Sequence, residues 1–79
     1  MSPHILPGNV VSLISQRDQR LYAVPGLDSI VEVADDATLL VLAKVIEGVH
    51  TYVYVMVMSG LLSGQPLGRM RIERARKLW

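Results

Sequence analysis

Few side chains in this sequence could take part in acid–base catalysis or bind a metal. The two histidines are His4, near the amino end, and His50, beside a glycine-containing turn. Asp35 and Asp36 are adjacent, and adjacent residues of an extended segment point to opposite sides, so they suit a solvated turn better than a metal site. The sequence has no cysteine. We therefore expect no catalytic residue, no metal and no cofactor, and we predict that the protein is not an enzyme.

The clearest pattern in the sequence is an apolar hairpin whose second strand is apolar on both faces. The segments Thr38–Glu47 and Thr51–Met58 flank Glu47–His50, a connection short enough to join antiparallel strands. In the second segment a row of valines alternates with a row of Tyr and Met, and only one row can fill the core of a one-sheet domain. Because valine packs well in small cores while Tyr and Met are enriched at interfaces, we predict that the Tyr/Met row faces outward. The predicted protein interface consists of Tyr52, Tyr54, Met56, Met58, Leu40, Leu42 and Ile46.

Two other interpretations of this hairpin stay open. Leu39, Leu42, Ala43 and Ile46 also fit the spacing of a buried helix, since a short apolar run cannot be assigned by its period alone. Strong curvature of a small barrel could also bury both rows of the second strand within one subunit.

The second informative pattern is the charge of the carboxyl-terminal segment. Residues 69–79 hold five basic side chains and one acidic one, whereas residues 1–68 hold three basic and six acidic ones. Arginine pairs with phosphate or carboxylate equally well. We predict contact with nucleic acid or an acidic partner, and the alternative is a solvated tail. The predicted contact residues are Arg69, Arg71, Arg74, Arg76 and Lys77, with Trp79 either stacking on a base or sealing the end of the domain.

Composition and turn residues predict a single small all-β domain. The chain has 79 residues, of which 16 are valine or isoleucine and none is phenylalanine, an excess of β-branched residues that favours strands. We expect an extended arm over residues 1–8, placed across a neighbouring molecule, and the domain over residues 9–79. Besides the hairpin, short strands are expected at Val10–Ser15, Leu21–Val24, Ser29–Val33 and Arg69–Ile72. Loops or turns are expected at Gln16–Arg20, Asp35-Asp36 and Ser59–Gly68, and a helical turn at Glu73–Trp79.

The opening of the domain resembles a known family. Residues Pro7–Leu13 read P-G-N-V-V-S-L, which is similar to the P-G-D/N-x-V-x-L start of many SH3-like and KOW-type domains in ribosome, transcription and mobile-element proteins. The resemblance implies an SH3-like small barrel of about five short antiparallel strands. It does not extend to the functional residues of any family.

These patterns rank three classes of function. The first is a non-enzymatic interaction module that self-associates or docks on a larger protein assembly through the Tyr/Met face, as a regulator or assembly component of a phage or mobile element. The second is a nucleic-acid-binding domain that uses the basic carboxyl-terminal segment. The third is an oligomeric enzyme with a shared central site, which the residues of a single chain would not reveal. No small-molecule substrate is expected.

The expected location is the cytoplasm. The amino end lacks the basic start and apolar run of an export signal. The apolar stretch Leu39–Leu62 is interrupted by Lys44 and Glu47, so its uninterrupted part is shorter than the roughly 20 residues of a membrane-spanning helix. We therefore expect no membrane partner.

Overall fold

The structure, a computed structural model, describes residues 4–14, 19–27 and 30–78. It is almost entirely antiparallel β-structure, with no α-helix among these residues, which confirms the predicted all-β class. The strands are β1 Val10–Leu13, β2 Arg20–Leu21, β3 Val31–Glu47, β4 His50–Ser63, β5 Leu67–Arg71 and β6 Ala75–Lys77, with a 3-10 turn at Ile72–Arg74. Parts of several predictions lie outside the described residues: the start of the arm, the end of the strand Val10–Ser15, most of the loop at Gln16–Arg20, Ser29 and Trp79.

The strands form one sheet in the order β5-β4-β3-β1-β6, and β2 also pairs with β3. The segment after β2 approaches β5 as well: the backbone N–H of Tyr22 donates to the carbonyl of Arg69 at 2.9 Å, and the N–H of Arg69 donates back at 3.0 Å. The strands β5 and β6 stand at the two ends of the path and do not pair with each other. The strand β2 therefore lies between β3 and the middle of β5.

The core consists mainly of β-branched side chains on one face of the strands. Val53 and Val55 are fully buried, and Val57 is 9% exposed, so the valine row of β4 faces inward as predicted. Val11, Leu39 and Val41 join them from β1 and β3. Alternation along each strand therefore leaves the Tyr/Met row on the opposite face, which is called the outer face below.

The central hairpin is confirmed but is longer than predicted, and the alternative of a helix is excluded because β3 runs through the whole segment. The turn expected at Asp35-Asp36 is wrong: both residues are exposed positions within β3. The pairing with β4 is irregular between Val33 and Thr38, so the strand bends without ending. The loop expected at Ser59–Gly68 is wrong except at residues 64–66, because β4 continues to Ser63 and β5 begins at Leu67.

Gly60 explains how β4 can continue through that region. Its φ is +85°, and a Cβ at this position would lie 2.9 Å from the Cα of Ala37 on β3. A residue with a side chain would force the two strands apart at the bend. The sequence shows a glycine-rich segment here, and the glycine serves a close approach of strands rather than a loop.

The carboxyl-terminal segment forms a strand instead of the predicted helical turn at Glu73–Trp79. A single 3-10 turn over Ile72–Arg74 leads directly into β6, which pairs with β1 through Leu13↔Ala75, Ser12↔Arg76 and Val11↔Lys77. Ala75 is buried. The residues are good helix formers, but pairing with a distant strand overrides that local preference. The described chain accordingly has six strands rather than about five.

The arm packs on its own chain. Ile5 is fully buried in the core, the N–H of Gly8 donates to the carbonyl of Val41 at 2.8 Å, and the N–H of Val41 donates to the carbonyl of Asn9 at 2.9 Å. The expectation that the arm lies across a neighbouring molecule is therefore wrong at Ile5, which packs in the core of its own chain. Leu6 is 58% exposed.

Candidate functional site

The outer face carries an apolar row that crosses four strands. Leu67 on β5 lies opposite Met56 on β4, Met56 lies opposite Leu40 on β3, and Leu40 lies opposite Val10 on β1. Directly opposite residues of an antiparallel pair share one face, so these four side chains form a continuous row, called the apolar row below. Met56 is 37% exposed, Leu40 and Leu67 are half-buried, and Val10 is buried.

Two further predicted interface residues extend this patch. Met58 follows on β4 and is 57% exposed, and Leu42 on β3 is 46% exposed. The row itself contains no charged residue, and its charged neighbours stand on the adjoining rows, Arg69 on β5 and Arg76 on β6. The structure therefore brings Met56, Met58, Leu40 and Leu42 together, as the sequence predicted.

Ile46 is separated from this patch by a β-bulge. The register shifts between Val41 and Ala43, so Ala43 lies opposite Tyr54 and Ile46 lies opposite Thr51. Thr51 belongs to the row of the buried valines, which places Ile46 on the other face of the hairpin. Its prediction as a member of the outer row is wrong, because simple alternation along β3 does not account for the extra residue at the bulge.

Tyr52 belongs to a group of aromatic and cationic side chains that the structure gathers beside the apolar row. The ring of Tyr22 lies edge-to-face against that of Tyr52, with centroids 6.3 Å apart. The guanidinium carbon of Arg69 lies 4.9 Å from the Tyr52 centroid and 6.0 Å from that of Tyr22. The guanidinium carbon of Arg74 lies 5.9 Å from the Tyr22 centroid. We call these four residues the tyrosine–arginine cluster. The distances between its guanidinium groups and tyrosine rings lie within the range of cation–π attraction.

Arg69 also ties β5 to the hairpin turn and to the segment after β2. Its Nη1 lies 3.2 Å from both carboxylate oxygens of Glu47, and its Nε donates to the carbonyl of Ala23 at 3.2 Å. The hydroxyl of Tyr54 donates to the same carboxylate at 3.4 Å. Arg69 is thus held by groups from three segments, and its charge is matched within the chain.

The other predicted basic contacts divide into paired and exposed residues. Nε of Arg71 lies 3.2 Å from Oε2 of Glu73, an ion pair without the angles of a hydrogen bond. Nη2 of Arg74 donates to the carbonyl of Arg20 at 3.0 Å. Arg76 and Lys77 are exposed on β6. The backbone of the basic segment therefore forms part of the sheet. Its basic side chains begin at the tyrosine–arginine cluster, and the last two stand on β6.

Tyr22 is the residue of this site that the sequence analysis missed. It is 48% exposed and lines a cavity of about 240 Å³ together with Arg20, Leu21, Ala23 and Ile30. Tyr22 lies in the predicted short strand Leu21–Val24, directly after a polar segment, and that pattern does not mark it as part of a site. It reaches Tyr52 only through the long-range pairing with Arg69.

Comparisons of the chain with protein-family models, with curated proteins and with solved structures gave no match. Within the described ranges, no three His, Asp or Glu side chains are grouped so that they could hold a metal ion. The described part of the chain also contains no helix with the length and apolar character needed to cross a membrane.

Proposed function

We propose that this protein is a non-enzymatic interaction module that docks through its outer face, and that the partner is a second copy of the same chain. The observation that carries the proposal is the apolar row, in which Leu67, Met56 and Leu40 are aligned across neighbouring strands and remain partly open to solvent. A soluble domain seldom exposes such a contiguous apolar patch without a partner.

The surroundings of the apolar row suit a partner without strong charge. Arg69 is paired with Glu47 and Arg71 with Glu73, so a protein surface can approach these rows without burying an unmatched charge. Met56 and Met58 are flexible and adapt to the shape of an apposed surface. The patch therefore combines an apolar centre with a rim of charge-paired groups.

Two properties favour a second copy as that partner. The formal net charge of the chain is +1, so two copies repel each other weakly. A chain of 79 residues buries only about 60% of its extended-chain surface, and association is a common way to supplement such a thin core. A two-fold arrangement would place the same row of each copy at the interface, which requires a patch of low charge like this one.

Sedimentation velocity over a wide range of protein concentration tests the proposal. The wild-type chain is expected to shift from monomer to dimer as concentration rises. Met56→Lys places a charge in the apolar row and should keep the chain monomeric. Ile46→Lys is the matched control, since Ile46 is 75% exposed on the other face, and it should associate like the wild type.

A wild-type chain that stays monomeric at every concentration would contradict self-association. Equal loss of association in the two variants would show that an added charge, rather than its place on the outer face, is responsible. Thermal unfolding of both variants checks that each one is folded.

We also propose that the sheet is an SH3-like small barrel. The pairing of β1 with β6, the 3-10 turn directly before the last strand and the backbone pair Tyr22–Arg69 support this assignment. An experimental structure in which Tyr22 and Arg69 are not paired would contradict it. The cytoplasmic location and a role in a phage or mobile element stay predictions from the sequence.

A further inference from the structure

We infer that the tyrosine–arginine cluster and its adjoining cavity bind single-stranded nucleic acid, with one base stacked on Tyr22 and the phosphates along Arg74 and Arg76. This site is independent of the apolar row. It uses the end of the molecule where the segment after β2 meets the 3-10 turn and β6.

Tyr22 is fixed in place before any ligand binds. Its backbone forms two hydrogen bonds with Arg69, and its ring contacts the ring of Tyr52 and the guanidinium groups of Arg69 and Arg74. Almost half of the residue is nevertheless exposed, at 48%. A rigid aromatic ring that is partly open to solvent is the platform on which unpaired bases stack.

The cavity beside Tyr22 limits what can bind there. Its volume is about 240 Å³, below the roughly 300–1,000 Å³ of sites that enclose a whole small-molecule ligand. Leu21, Ala23 and Ile30 give it apolar walls. The space suits one planar group of a longer molecule better than a free cofactor.

The charges beyond the cavity favour a polymer with more than one phosphate. Arg74 stands at the end of the 3-10 turn, and the exposed Arg76 follows two residues later on β6, so cations continue along the chain away from Tyr22. Arg69 and Arg71 are paired with Glu47 and Glu73, and Lys77 points to the other side of β6 from Arg76, so we do not count these three residues as phosphate ligands.

Single-stranded nucleic acid fits this arrangement better than the two other anionic polymers. An acidic peptide could pair with the cations, but its carboxylates offer no ring to stack on Tyr22. In a duplex the bases are already stacked on each other, and a platform for one base has no access to them.

Fluorescence anisotropy with a fluorescein-labelled ten-nucleotide oligothymidylate tests the inference. Tyr22→Ala is expected to weaken binding roughly 5- to 150-fold, the effect of losing one stacked base. Tyr22→Phe should bind within about twofold of the wild type, because the ring is kept. Tyr22→Leu keeps apolar bulk without a ring and should behave like Tyr22→Ala, and thermal unfolding shows that each variant is folded.

The salt dependence tests the phosphate contacts. Arg76→Gln should reduce the slope of log affinity against log salt by about 0.7, the value for one phosphate of a single strand. Lys44→Gln is the matched control, because Lys44 is an exposed cation on the hairpin, opposite Val53. Its slope should equal that of the wild type.

Four results would overturn the inference. The first is that the wild-type chain does not bind the oligonucleotide at a protein concentration of about 100 µM, which corresponds to the weak end of non-specific binding. The second is that Tyr22→Ala binds the oligonucleotide as tightly as the wild type. The third is that a decaglutamate peptide competes as well as unlabelled oligonucleotide, which would show that the site recognises negative charge alone. The fourth is that thymidine monophosphate competes as well as the oligonucleotide, which would indicate a mononucleotide site. Met56→Lys should leave oligonucleotide binding unchanged, so this test is separate from the test of self-association.

Discussion

Ile5 and Leu6 are neighbours of the same apolar type with opposite surroundings. Ile5 is fully buried among core side chains, whereas Leu6 is 58% exposed. Burial of a single side chain therefore makes the amino-terminal segment part of the domain core. The sequence does not distinguish the two residues, because both follow a proline-containing start without a strand pattern.

Replacement of Ile5 by alanine measures that contribution. We expect Ile5→Ala to lower the free energy of unfolding by about 2–5 kcal/mol, because it removes buried methylene and methyl groups and leaves a cavity. Leu6→Ala should change it by less than about 0.5 kcal/mol. Urea unfolding at one low protein concentration makes the comparison, since association changes apparent stability. Equal small losses would place Ile5 outside the core.

The aromatic and basic side chains show which structural features can be predicted from residue type alone. The alternation of valine with Tyr and Met was visible, and so was the placement of Arg69 and Arg71 on the face opposite the buried Met70. The position of Tyr22 against Tyr52 was not visible, since it depends on pairing between β2, β3 and β5. Side-chain type predicts a face of a strand, whereas tertiary pairing decides which faces meet.

Among the strands, the β3–β4 hairpin contains features that the sequence predicts and one feature that it does not. Its turn and its buried face follow from alternation alone. The bulge between Val41 and Ala43 does not follow from alternation. The residues around it are nearly all apolar, so no change of residue type shows where the extra residue is inserted. The strand β6 was missed for a related reason: its helix-forming residues extend only because β1 is available as a partner.

The connection between β4 and β5 gives a second stability prediction. Gly64 has φ +87°, and a Cβ there would collide with the backbone carbonyl of Ile30 just before β3. Gly8 has a similar φ of +95°, but no atom lies within 4 Å of its Cβ position. Gly8→Ala should therefore cost about 1–2 kcal/mol from backbone strain alone. Gly64→Ala should cost more, because the start of β3 must also shift.

Urea unfolding of the two glycine variants, again at one low concentration, provides the measurement. Circular dichroism of each variant confirms that the strands are still formed. A Gly64→Ala variant that loses no more stability than Gly8→Ala would show that the β4–β5 connection does not approach the backbone of Ile30 closely.

The molecule as a whole has an apolar surface and a separate aromatic and cationic surface. It measures 30 × 27 × 23 Å, and its core of mainly β-branched side chains lies behind the outer face. The apolar row crosses the middle of that face, and the tyrosine–arginine cluster stands toward one end. Self-association through the row and ligand binding at the cluster are therefore separable by substitution.

The distance between two spin labels in the associated protein tests self-association through the outer face most directly. The chain has no cysteine, so Met58→Cys and Ile46→Cys each introduce one site for a nitroxide label. Double electron–electron resonance at high protein concentration should give a distinct intermolecular distance for the label at Met58. That distance should be shorter than the one for the label at Ile46, because facing sheets pack about 10 Å apart and Ile46 lies on the other face. No dipolar signal from either label, or a shorter distance at Ile46, would contradict docking through the outer face.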